Sequence, residues 1–169
     1  MHPPTDSAAG GSPEPHRIET EEATAADVSE LARMHQSAKR LTSAIPKAGP
    51  LVEELSRGDD AESVVESFSA GLADEGVTVL VGYLGEVAVG YGVLTANGSR
   101  GRIDELWVEP DARRIGVGTA LLHALRELAA AAQMSGIDSV ALPGDRDTKN
   151  FFEDHAMVAR AIIVGTSEL

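Results

Sequence analysis

The 169-residue chain contains no cysteine. That excludes disulfides, thiolate metal sites and a cysteine nucleophile. Aromatic residues make up only 4%, so a core must be built mainly from Val, Ile, Leu and Ala. Basic residues are outnumbered: 14 Lys and Arg stand against 27 Asp and Glu, for a net charge of −13. Such a chain repels polyanions at long range, which argues against nucleic acid and against an anionic membrane surface as partners. No apolar run approaches the ~18 residues of a membrane-spanning helix. The N-terminus lacks the basic start and apolar stretch of a secretory signal, so a cytoplasmic location is expected. The five histidines are scattered and form no His-x-x-x-His pair, so no metal site is expected. No repeat with a period of 20 to 50 residues is found.

What is present suits one globular domain: 43% of residues are apolar, a normal share, and the length is short for two domains. Residues 1–15 are rich in Pro, Gly and Ser, with no large apolar residue after Met1. They cannot bury enough surface to offset ordering entropy, so a disordered tail is expected there, with a single domain over 16–169.

Within that domain, Arg17–Glu21 reads as a first strand. Thr24-Ala25-Ala26-Asp27 has capping-box form, with Asp in place of Glu. It opens a helix with Val28, Leu31 and Met34 on its apolar stripe. Arg40–Gly58 contains Pro46, Gly49 and Pro50 and reads as irregular. Asp60–Leu72 reads as a second helix, with Val64, Val65, Phe68 and Leu72 apolar. Val77–Tyr83 and Val87–Thr95 flank a Leu84-Gly85-Glu86 turn and read as a hairpin. Asn97-Gly98-Ser99 turns into a third strand, Arg102–Val108, stopped by Pro110. A helix then begins near Gly116, with Val117, Leu121, Leu125, Leu128 and Ala132 on one face and Gly136 placed to end it. Asp138–Leu142 reads as a strand, Thr148–His155 as a short helix and Ala159–Gly165 as a last strand. The order β-α-α-β-β-β-α-β-α-β describes an α/β protein, a mixed sheet with helices on both faces.

Chemistry concentrates after the third strand. Arg113-Arg114-Ile115-Gly116-Val117-Gly118-Thr119 joins that strand to the strongest amphipathic helix. The glycines let backbone pass close to a bulky group. The helix start offers unpaired N–H groups and the positive dipole end, suited to a pyrophosphate. Arg113 and Arg114 reverse the local sign of charge in an acidic protein. The same glycines could serve tight strand–helix packing alone.

Arg113-x-x-Gly116-x-Gly118, preceded by Leu106-x-Val108-x-Pro110, resembles the signature of the GNAT acetyltransferase superfamily, and the element order is similar from about residue 16 onward. The resemblance implies an N-acetyltransferase with acetyl-CoA as co-substrate. The CoA pyrophosphate would rest on the loop from Arg113 through Arg114, Ile115, Gly116, Val117 and Gly118 to Thr119. The pantetheine would lie along Leu106, Trp107 and Val108, where a backbone N–H polarises the thioester carbonyl. The acceptor amine would attack directly in a ternary complex. Glu105 is the candidate catalytic base, with Asp104 its weaker rival because neighbouring strand residues face opposite sides. Its bland alternative is a salt-bridged strand carboxylate.

The chain departs from the family pattern where Phe-Tyr-Glu-x-x-Gly-Phe is usual. Phe151-Phe152-Glu153-Asp154-His155-Ala156-Met157 puts Phe152, which has no proton to give, at the position of the Tyr acid. Tyr83, Tyr91, His155 or water would have to protonate the leaving thiolate. His155 alone reads as a surface or capping residue. Asp145 stands where a CoA-contacting Asn is usual, with Asn150 nearby but out of register. A missing final strand would leave an open sheet edge, from which a homodimer is expected.

Two other readings remain open at this point. Gly116-x-Gly118 after a strand is also half of a dinucleotide-binding fingerprint. Leu121 takes the third glycine position, however, and Asp138 opens its strand where a ribose-binding acid should close one. Alternatively, Phe152 suits a GNAT-like module that binds acyl-CoA without efficient catalysis. No Gly-Lys-Ser/Thr follows the glycines, so a P-loop kinase is excluded. The acceptor is not readable, though the acidic balance favours a cationic amine.

Overall fold

The computed structural model describes residues 17–46, 48, 51–52, 57–58 and 60–162. The expected N-terminal tail lies outside them. The described elements are β1 (Ile18–Glu22), α1 (Val28–Ser43), α2 (Ala61–Leu72), β2 (Val77–Leu84), β3 (Val87–Asn97), β4 (Arg100–Val108), α3 (Val117–Ala131), β5 (Ile137–Ser139) and α4 (Arg146–Asp154). They form a five-stranded sheet in the order β1-β2-β3-β4-β5. The first four strands pair antiparallel and β5 runs parallel to β4. Only that last connection needs a crossover helix, and α3 supplies it.

Each face of the sheet has its own core. On one, Leu31 and Met34 of α1 and Phe68 of α2 pack against Val79, Val81, Tyr91 and Val93. On the other, Leu121, Leu122 and Leu125 of α3 and Phe152 of α4 cover Leu80, Leu94 and Ile103. Each such Leu contributes about 1.5–3 kcal/mol by leaving water. A largely antiparallel sheet is not the doubly wound parallel sheet of a dinucleotide-binding fold, which removes that reading.

The hairpin, its turns and the capping box form as expected. The Thr24 hydroxyl accepts from Ala26 N, while Asp27 Oδ2 accepts from Thr24 N at 2.7 Å. Several boundaries move. The first helix continues through Arg40 to Ser43, because nothing before Pro46 breaks it. Val65 is 37% exposed, one position beyond the buried stripe of α2. In α3 the buried face includes Leu122 and Ala129, whereas Ala132 is exposed. Gly136 does not end this helix. It ends at Ala131, and Gln133 takes the left-handed turn with φ 55°. The next strand is only Ile137–Ser139, and the following helix starts at Arg146 because Asp145 caps Thr148 N. Residues 159–162 form no strand, and 163–165 lie outside the described residues. No helix among the described residues is long and apolar enough to cross a membrane.

Candidate functional site

β4 carries the site because of one irregularity. Val93 pairs with Glu105 but Leu94 pairs with Ile103, so Asp104 is an extra residue on β4, a β-bulge. Before it, Ile103 faces α3. Regular alternation would turn Glu105 the same way. The bulge instead puts Glu105 and Trp107 on the face of α1, and Leu106 and Val108 on the face of α3.

The bulge also marks where the sheet opens. β5 pairs with β4 only from Gly101 to Ile103, with Ser139 Oγ donating to Ile103 O at 3.0 Å as the last tie. Beyond it, β4 has a strand neighbour on one side only among the described residues. Glu109 N donates to Val89 O, which sets the phase of the ladder. Leu106 and Val108 therefore turn their backbone groups toward the open side and Trp107 turns its own toward β3. Val108 O there accepts from Arg113 Nε at 2.8 Å.

The Arg113–Thr119 loop runs beside this opening. Arg114 (φ 64°) and Gly116 (φ 107°) both take left-handed backbone, and Gly116 caps α3 without any side-chain hydrogen bond. The first-turn amides, from Val117 to Thr119, thus point out of the helix uncapped. A Cβ at Gly116 would come within 3.3 Å of Ile18 Cδ1. One at Gly118 would meet Phe151 at 3.4 Å and Val108 at 3.5 Å, ordinary contact. The protein's own packing therefore does not require glycine at 118. Uncapped amides and two left-handed residues form a cradle that fits a pyrophosphate. The Arg113 guanidinium stacks 4.5 Å over the Trp107 ring, which fixes its direction. Arg114 and Ile115 are exposed.

Glu105 is not a lone carboxylate. Its Oε2 accepts from Tyr91 OH at 2.6 Å and lies 2.8 Å from His35 Nδ1; its Oε1 accepts from Arg57 Nε. An ionised carboxylate only accepts, so His35 carries its proton on Nδ1. His35 Nε2 is buried with no partner among the described residues. Burial alone pushes the Glu105 carboxyl up, but the His35 hydrogen bond, the Arg57 charge and the Tyr91 hydroxyl outweigh it, and its pKa falls below the ordinary Glu value. Burial, and then the Glu105 charge, push the Tyr91 phenol well above its usual range. Asp104 is exposed and bonds Thr95 Oγ1. At the end of the strand, Glu109 holds Arg33 at 2.9 Å and Ser37 at 3.2 Å.

Sequence reading missed His35 and Arg57. They lie 70 and 48 residues from Glu105, so no spacing links them. A faint signal existed for His35, which falls four residues after Leu31 on the apolar stripe of α1.

The groups considered as replacements for the missing Tyr are already engaged. Tyr83 donates to Asp27 at 3.2 Å and Tyr91 to Glu105. Phe152 is buried among the α3 leucines. His155 stands beside the loop. Its Nδ1 bonds Phe151 O at 2.7 Å and so carries the proton, leaving Nε2 to accept from Thr119 Oγ1 at 3.1 Å. Asp145 caps α4, and Asn150 is exposed.

The comparisons with known proteins bear on the fold and the family. Residues 45–157, more than half of the chain, match the acetyltransferase (GNAT) family. A 68-residue stretch is 44% identical to a mycothiol acetyltransferase of Parafrankia sp. (strain EAN1pec), covering 40% of this chain and only 21% of that protein. Among solved structures, a mutant protein from Bacillus halodurans superposes with a TM-score of 0.74 at 21% identity, over 89% of this chain and 99% of its own. A PaiA N-acetyltransferase from Thermoplasma acidophilum, solved with coenzyme A, gives 0.69 at 13% identity, over 82% and 88% of the two chains. At such identities these structures establish a shared fold. With the match over residues 45–157, they lead to one conclusion: the chain belongs to the GNAT acetyltransferase family.

Proposed function

We propose that this chain is a cytoplasmic N-acetyltransferase that moves an acetyl group from acetyl-CoA to a primary amine by direct attack in a ternary complex. The observation that carries the reading is the opening of β4 beyond Ile103. Backbone groups of Leu106 and Val108 face the gap there, the uncapped loop lies at one end of it and an ionised Glu105 stands at the other.

In this reading the amides from Gly116 to Thr119 hold the pyrophosphate, with Arg113, Arg114 and Ile115 shaping the approach. Leu106 and Val108 pair with the pantetheine, and Trp107 takes part as the platform under Arg113. The Leu106 N–H polarises the thioester carbonyl. Glu105, kept ionised by Arg57 and His35, attracts the ammonium of the acceptor and takes its proton through water. No side chain at position 152 supplies a proton to the departing thiolate, which near neutral pH needs little help. Residues 16–169 work as one domain. The outer edge of β5 has no strand partner among the described residues, and we extend the reading to a homodimer paired there; a monomeric mass in light scattering would remove it.

A second reading, a GNAT-shaped module that binds acyl-CoA without turning it over, is favoured by the buried Phe152. Thermal unfolding with and without acetyl-CoA, with NADH as control, tests the shared premise. At 100 times its dissociation constant the ligand adds about 2.7 kcal/mol, a rise of several degrees. No rise with acetyl-CoA would sink both readings. Release of free CoA thiol in the presence of an amine panel then separates them, since turnover excludes the module.

A further inference from the structure

The end of α4 reaches across to the loop. His155 is the C-cap of α4, and its Nε2 accepts from Thr119 Oγ1 at 3.1 Å. Its ring lies 4.5 Å from the Phe151 ring, centroid to centroid. Phe151 in turn stands 3.4 Å from where a Cβ would sit on Gly118. Gly116 gives α3 no side-chain cap, so the Thr119–His155 bond is the side-chain anchor of this first turn.

The backbone fixes the proton positions. Phe151 O, at 2.7 Å, can only accept, so His155 Nδ1 carries the proton and the neutral ring leaves Nε2 as an acceptor. The Thr119 hydroxyl therefore spends its hydrogen on His155. Its lone pairs are left for the mouth of the loop, where an arriving phosphate oxygen meets them with like partial charge. A protonated ring reverses this. Nε2–H then donates, Thr119 Oγ1 accepts, and the hydroxyl hydrogen is free for the phosphate.

The groups that face the ring bring it no negative charge. From α3, His123 lies edge-on at 6.1 Å between centroids, and Arg126 donates to the His155 carbonyl. In the loop, Arg113 is turned onto Trp107 and Arg114 is exposed. On α4, Glu153 is paired with Lys149 at 2.6 Å and Asp154 is exposed. No carboxylate bonds the ring among the described residues. The anion that would favour a proton on His155 is the one the loop takes.

We propose that His155 is a positioning residue of this loop and that acetyl-CoA binding places a proton on it. The pyrophosphate docks on the amides from Gly116 to Thr119, a proton from solvent settles on Nε2, and the Thr119 hydroxyl turns its hydrogen to the phosphate. The bound form then holds one more proton than the free form. Affinity therefore rises as pH falls through the range in which histidine titrates, roughly pH 6 to 7. The inference rests on the acetyl-CoA reading above.

The test is calorimetry of acetyl-CoA with the full chain at about pH 6.5 and about pH 8, in two buffers of different ionisation heat, which counts the protons taken up. The ligand's own phosphate monoester titrates in this range. Each quantity is therefore read as wild type against His155→Gln, whose amide accepts from Thr119 but holds no proton. At the lower pH the wild type should take up about half a proton more than the variant, and its affinity advantage should be at least about threefold larger than at the higher pH. Thr119→Val, which keeps the shape and leaves the ring untouched, should lose more affinity at the lower pH than at the higher, and Thr119→Ser should restore it. A His155→Gln variant weakened equally at both pH values with no difference in protons, or a pH-independent loss in Thr119→Val, would overturn the proposal and leave the acetyl-CoA reading standing. Failure of the wild type to bind acetyl-CoA at either pH would remove both.

Discussion

One strand presents two unlike surfaces. Toward α3, β4 shows Leu106 and Val108, packed with Val117 and Leu121 in a dry core, and no ionised side chain. Toward α1 and α2, the residues between and beside them are Glu105, Trp107 and Glu109; Glu105 is tied to His35, Tyr91 and Arg57, and Glu109 to Arg33 and Ser37. The α3 face is built from local parts: a strand end, a loop and a helix start within 14 residues, Leu106 to Thr119. The α1 face is assembled from distant parts. The difference teaches a division of labour. The α3 side offers backbone and space, the features that hold an anionic, extended ligand. The α1 side offers fixed charge, the feature that handles a proton. A single bulge at Asp104 decides which residue serves which side.

The sharpest way to break this division is Glu105→Gln. It keeps the shape and removes the charge. The acetylation rate should fall by about a hundredfold or more, while the thermal shift caused by acetyl-CoA stays at the wild-type value. A variant that loses both together would show that the two faces are not separable.

Gly118→Ala probes the other side. The methyl makes only ordinary contact with Phe151 and Val108, and an alanine in a helical turn is stabilising by up to about 1 kcal/mol relative to glycine. The unbound variant should therefore melt at the wild-type temperature or slightly above. Acetyl-CoA affinity should drop roughly tenfold, since the methyl adds bulk beside Val108, at the end of β4 where the pantetheine is proposed to lie. A stable variant with unchanged affinity would mean that the loop is only packing.

Acid stability sharpens the contrast further. The Glu105 carboxyl has a lowered pKa in the fold: burial raises it, but His35 and Arg57 lower it more. A depressed folded pKa contributes stability above the ordinary value of 4.5, and that contribution is lost as pH falls through the folded value. Wild-type stability should fall on acidification below that point. Glu105→Gln should show a shallower acid limb in urea titrations at several pH values. Equal slopes would place the acid sensitivity elsewhere, for example at Asp27, whose pKa is lowered chiefly by the Thr24 backbone.

The smallest effect concerns the end of α4. Ala156 adopts φ 59°, at the position where the family pattern has glycine. Ala156→Gly should relieve strain and raise stability by about 0.5–1 kcal/mol, a few degrees in Tm. A fall in Tm would show that the turn is not strained.

The elements of the α3 face were legible because their signals are local. Gly116 and Gly118 break the chain, Leu121 and Leu125 repeat at helical spacing, and Arg113 marks the reversal of charge, all within one continuous stretch. Boundaries were legible less well. Gly136 looked like a helix stop because glycine often is one, yet Gln133 took the left-handed turn. Ala159–Gly165 looked like a strand from its β-branched residues, yet its described part makes no ladder, since pairing needs a neighbour that local pattern cannot supply.

Sequence alone determined the mixed α/β order, the strand-loop-helix that resembles an acyl-CoA site, and the absence of thiol chemistry. These follow from residue type and near spacing. Only the tertiary structure decided that Glu105 faces α1 and that His35, Tyr91 and Arg57 surround it. The reason is physical. A one-residue bulge reverses every side chain after it, and where a strand will bulge depends on the register of its partner. The partners of a buried carboxylate are set by how helices pack across a sheet, over separations of 48 and 70 residues, and no local pattern records that packing.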